Sequence, residues 1–95
     1  MKKRLIILSD LWGKSISNWE NLYINKLKND FEIEYYDSCE LGNINKKNAT
    51  EIDLHQQFIN GGIEVAVSKL LILEKEKIDI LAFSIGGTIA WKAAL

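Results

Sequence analysis

The chain has 95 residues, 47% of them hydrophobic and 26% charged, with a formal net charge of -1. That describes one globular unit with room for a core, short for a doubly wound enzyme. The two signs of charge are interspersed, which leaves no basic face for a phosphate backbone and no polybasic segment for an anionic bilayer, so neither nucleic acid nor membrane is an expected partner.

Lys2, Lys3 and Arg4 before Leu5 to Leu8 have the order of a secretory signal, but the apolar run is short and meets Asp10 at once. They read as a charged leader into a strand. No apolar stretch reaches the roughly eighteen residues of a membrane span. A single cysteine, Cys39, cannot build a disulfide framework, and the cytoplasm is the expected compartment.

Arg4 to Ser9 is an unbroken apolar run ending in turn residues, the pattern of a central strand buried on both faces of a parallel sheet. Ser17, three residues before Glu20, predicts a capping box and a helix start. Trp19, Leu22, Tyr23 and Leu27 then recur at helical spacing as a packing stripe, until Asn29-Asp30 ends it. Phe31, Ile33 and Tyr35 alternate with Glu32, Glu34 and Tyr36, which predicts a half-exposed edge strand.

From Asp37 to Asn48 the composition is that of a polar loop. Thr50 to Asn60 is ambiguous between a short helix and irregular structure. Beyond Gly61-Gly62, the residues Ile63, Ala66, Leu70 and Leu73 predict a helix to about Lys77, and Ile78 to Phe83 a third strand. Alternating strands and helices with right-handed crossovers give an α/β fold, a three-layer sandwich around a parallel sheet in the order second, first, third. A crevice then opens at the carboxyl ends of the strands, lined by Ser9 to Gly13 and Phe83 to Gly86.

The segment Ile80 to Lys92 carries the strongest chemical signal: a hydrophobic strand, then Ser84 among small residues, then a helix. A serine hydroxyl is a weak nucleophile, and a tight strand-to-helix turn presents it to a base and a substrate by straining its backbone. Ala82 and Gly86 keep that turn sterically open, with Gly87 expected to ease the same packing. The following helix points N–H groups and its positive dipole end at the site, where an oxyanion would form.

Ala82-Phe83-Ser84-Ile85-Gly86-Gly87-Thr88-Ile89-Ala90 resembles the nucleophile elbow of the α/β-hydrolase fold family, its esterases and thioesterases included. The order of earlier strands and helices resembles that family too, although Ala82 replaces the first glycine of G-x-S-x-G. The resemblance implies that Ser84 is the nucleophile, that the Ile85 N–H is one oxyanion donor and the Leu11 N–H the second, with Trp12 as the fallback. It implies a small-molecule acyl substrate and no cofactor. In that family the acid and the histidine follow the serine, whereas only Ile85 to Leu95 follow it here. Residues 1–95 are thus expected to be the amino-terminal portion of a single hydrolase-like domain, a partial fold ending in the helix after the elbow.

His55, the single histidine, precedes the serine and is assigned to no triad. Gly13-Lys14-Ser15 has the ending of a P-loop, but Leu8 stands where the first glycine belongs. Asp53 and His55 lack a second histidine or a cysteine nearby, so no metal site is expected. Cys39 is read as structural. Trp12 alone of the tryptophans lies where it could line a substrate pocket. A reading of another class is a non-catalytic α/β module that binds a ligand or partner. As a complete chain it would need self-association or a partner to cover the open edge of its third strand.

Overall fold

A computed structural model describes residues 2–13, 18–74 and 78–95, without the side chains of residues 18–21 and 23. Three strands, β1 (Lys3–Leu8), β2 (Phe31–Tyr36) and β3 (Asp79–Ala82), form one sheet in the order β2-β1-β3. Both pairings are parallel, with Ile6 opposite Glu34 on one side and Ile80 on the other. The strand order and the central place of β1 agree with the apolar patterning. This is a small α/β fold.

Helices α1 (Asn18–Leu27), α2 (Ser38–Leu41), α3 (Glu51–Gln57), α4 (Ile63–Leu73) and α5 (Ile85–Ala94) complete the described structure. The main core gathers Ile6 and Leu8 of β1 with Leu11, Cys39, Leu41, Leu54, Phe58, Ala66, Leu70 and Ile89. Alternate residues of a strand face opposite ways, so Leu5 and Ile7 look to the other face, and both are buried. Each fully buried Ile or Leu stabilises the fold by about 1.5–3 kcal/mol, which makes β1 the most heavily invested segment for its length.

The predicted capping box at Ser17 and Glu20, together with the stripe positions Trp19 and Tyr23, lies outside what is described. Leu22, assigned to that stripe, is exposed. The polar stretch after β2 is not merely a loop. Asp37 caps α2, its carboxylate accepting from the Cys39 and Glu40 N–H groups, and Cys39 and Leu41 drop into the core. The ambiguous segment resolves as α3, opened by a reciprocal capping box between Thr50 and Asp53.

A wide, π-type turn over Phe58–Gly62 joins α3 to α4, kinked at Gly61 with φ 140°. Only glycine adopts that conformation without strain. Helix α4 stops at Leu73, short of the predicted Lys77, and Leu73 is 55% exposed instead of packed. Its neighbour Glu74 turns inward. Arg4 donates to both Glu34 and Glu74, and the Tyr36 hydroxyl donates to Glu74 at 2.7 Å, so one charged cluster ties β1, β2 and the end of α4 together.

Candidate active site

Parallel strands deliver their following loops to one rim. The Phe83 N–H donates to the Leu8 carbonyl at 3.1 Å, extending the β1–β3 pairing to the foot of the turn that carries Ser84. The loop after β1 and the turn after β3 therefore meet at the carboxyl end of the sheet. A Cβ added at Gly86 would lie 2.7 Å from the Ser9 carbonyl oxygen and 2.9 Å from Leu8 Cβ, which real side chains do not tolerate. The absence of a side chain at Gly86 is what lets α5 start against β1.

Ser84 has φ 52° and ψ -118°, outside both the right-handed and the left-handed helical wells. A non-glycine residue held there costs on the order of 1–3 kcal/mol, so the surrounding structure over-determines it. Immediately after it, the Gly86 N–H donates to the Phe83 carbonyl and the Gly87 N–H to the Ser84 carbonyl, each at 2.9 Å. These bonds close the turn within two residues. The Ser84 side chain is exposed and makes no capping bond to α5, so helix capping does not explain the serine. The expected packing role of Gly87 fails, because a Cβ there would meet nothing within 4 Å.

With the Gly86 and Gly87 N–H groups engaged, the Ile85 N–H at the start of α5 is left without a partner among the described residues, beside Ser84. Across the rim, Leu11 is buried and its N–H likewise has no partner among the described residues. The fallback donor does not stand: the Trp12 N–H donates to Asp10 Oδ1 at 3.0 Å. The Trp12 ring packs, half-buried, against the main core.

Several bonds fix this rim. Ser38 donates to Ser9 from both its N–H, at 2.8 Å, and its hydroxyl, at 2.7 Å. The Cys39 thiol donates to the Leu11 carbonyl at 3.1 Å, and Lys46 Nζ donates to the Trp12 carbonyl at 3.3 Å. Burial, with the nearby Asp37 charge, pushes the Cys39 pKa up to about 11, so the group stays a thiol at neutral pH and serves as a donor. Cys39 and Lys46 were not expected at this rim, and Asp10 was expected there only as part of the stretch Ser9 to Gly13, without a role of its own. An aspartate directly after a buried strand, two residues before Trp12, was the one legible sign, since that spacing suits an Asx turn.

His55 sits on α3, its Nε2 4.0 Å from Glu51 Oε1 one turn earlier, and no hydrogen bond joins it to Ser84. Asp53 is occupied in the capping box, its pKa lowered by the Thr50 N–H and hydroxyl. Among the described residues no group of three or more His, Cys, Asp or Glu could hold a metal ion. Lys14 and Ser15 of the P-loop-like tripeptide lie outside the described residues. A cleft of about 1210 Å³ lies elsewhere, against Arg4, Leu71, Leu73, Asp79 and Ala94 beside β3. Among the described residues no helix is long and apolar enough to cross a membrane.

Comparison with protein-family models, with curated proteins and with solved structures finds no match to this chain. The class that fold and site define is therefore a small parallel α/β fold with an exposed, backbone-strained serine at the carboxyl end of its sheet.

Proposed function

We propose that the chain is the nucleophile-bearing part of a serine hydrolase of the α/β-hydrolase type, acting on an ester or thioester through an acyl-serine intermediate. The observation that carries this reading is the backbone of Ser84, φ 52° and ψ -118°, held by a glycine pressed on β1 while the hydroxyl itself caps nothing. Strain of that kind persists where presentation of a side chain is selected. In the first step the Ser84 Oγ bonds to the acyl carbon, the ester or thioester bond breaks, and the alcohol or thiol leaves with the serine proton. Water then hydrolyses the acyl-serine. The Ile85 and Leu11 N–H groups are the candidates to hold the negative oxygen in both steps.

The general base and its acid partner belong, on this reading, to residues outside these 95, because His55 is on α3 with Glu51. Incubating the protein as its gene encodes it with a fluorophosphonate, and mapping the adduct by peptide mass, tests the reading. Label on Ser84 that Ser84→Ala abolishes supports it. An unlabelled, folded protein sinks it.

That no hydrogen bond joins His55 to Ser84 also favours a second reading, a non-catalytic α/β binding module or an inactive hydrolase remnant. A serine without its base retains only a residual fraction of catalysis. The same labelling decides between the two.

A further inference from the structure

We infer that Asp10 is a positioning residue of the oxyanion hole, whose carboxylate withdraws the Trp12 N–H and so selects the Leu11 N–H as the second donor. The inference rests on the hydrolase reading of Ser84. Its basis is an accounting of three consecutive amides. The Trp12 N–H donates to Asp10 Oδ1 at 3.0 Å and the Gly13 N–H to the Asp10 carbonyl at 3.2 Å. The Leu11 N–H between them has no partner among the described residues, although Leu11 is buried.

Backbone N–H groups are strong donors that are almost always paired in a folded protein. One left over in the loop that meets the Ser84 turn is accounted for if a ligand atom pairs with it in the working state. Two carbonyls of the loop around it are held by other segments. The Leu11 carbonyl is held by the Cys39 thiol, and the Trp12 carbonyl by Lys46. Gly13, at φ 88°, lies so close to the Asp37 carboxylate that a Cβ there would stand 2.7 Å from it. Asp10 thus folds the loop into an Asx turn with one amide left over.

The ligand this prepares for is a single oxygen atom that gains charge, as an acyl carbonyl does under attack.

The test uses the protein as its gene encodes it, labelled with nitrogen-15 and treated with an uncharged alkyl fluorophosphonate, whose phosphoryl oxygen occupies the oxyanion position once Ser84 displaces fluoride. The expected result is a large downfield shift of the Leu11 and Ile85 amides with Trp12 unmoved. In Asp10→Ala the Leu11 shift should collapse and Ser84 should label at least about 10-fold more slowly, up to the roughly 10²–10³ that loss of a whole donor costs. Asp10→Asn keeps the acceptor and should restore both. An adduct that shifts Ile85 but leaves Leu11 unmoved overturns the inference while leaving the hydrolase reading intact. Absence of any adduct on the wild-type serine overturns both, and the wild-type spectrum decides even if Asp10→Ala does not fold.

Discussion

Ser38 donates twice to Ser9, from its backbone N–H to the Ser9 hydroxyl and from its own hydroxyl to the Ser9 carbonyl, and both residues are fully buried. That carbonyl is the same one that forbids a side chain at Gly86. Helix α2, the end of β1 and the start of α5 are thereby set against one another through a single residue. Ser9→Ala should strand the Ser38 N–H and destabilise the protein by about 1–3 kcal/mol, measured as a lower urea midpoint at unchanged slope.

The two adjacent glycines of the elbow should respond oppositely. Gly86→Ala puts a methyl against backbone atoms of β1 and should cost about 1–3 kcal/mol. Gly87→Ala adds a methyl in open space inside a helix and should gain about 0.5–1 kcal/mol. Denaturant unfolding of the two variants reads both signs, and equal losses would contradict the packing described here.

Ser84→Gly should relieve the strained backbone and stabilise the fold by about 1–3 kcal/mol, while Ser84→Ala, which keeps a Cβ, should not. A stabilised glycine variant that no longer takes up fluorophosphonate would be the signature of strain retained for chemistry. If Ser84→Gly is no more stable than wild type, the conformation carries no stored cost.

Stability should fall at both ends of the pH scale, through the cluster that ties β1, β2 and α4. Hydrogen bonds from Arg4 hold the Glu74 carboxyl below its ordinary range, so its contribution is present above about pH 4.3, the unfolded value, and is lost as pH falls through the folded one. Burial, with the bond to Glu74, pushes the Tyr36 pKa up to about 12. The neutral phenol is favoured in the fold, so that contribution is complete below about pH 10 and is lost between there and the folded value. Urea midpoints against pH should show Glu74→Gln flattening the acid limb and Tyr36→Phe the alkaline one.

Cys39 should be inert in the folded protein. Its thiol is buried, donates to Leu11, and ionises only near pH 11. At neutral pH a disulfide exchange reagent should modify it at the rate of unfolding, and stoichiometrically in strong denaturant. Rapid modification under native conditions would show that the rim opens.

The sheet was legible because its signals are periodic: the unbroken run of β1, the alternation of β2 and the apolar strand before Ser84 each match one strand environment. The tight turn at Ser84 was legible from residue size alone. What escaped was held by single polar contacts instead of patterns. Helix α2 has one turn, and Asp37 capping it looked like any other polar residue of a loop. Leu73 continued a helical stripe that the structure ends by turning Glu74 inward toward Arg4, a partner seventy positions away. Asp10 was legible as a turn residue, but its grip on Trp12 depends on the path of the loop. Gly87 was misread because a second glycine beside a needed one carries no mark of its own.

The central strand has a consequence for how the molecule is made. Leu5 to Leu8 pair on one side with β2 after a single helix, but on the other side with Asp79 to Ala82, beyond the whole of α2, α3 and α4. Closing that second side brings together residues far apart in sequence, which makes the last pairing slow. On the ribosome, β1 emerges before β3, and one of its sides waits unpaired until that partner is synthesised. The exposed side of β1 is open to mispairing during that interval, and the turn at Ser84 is set against β1 only once the interval has closed.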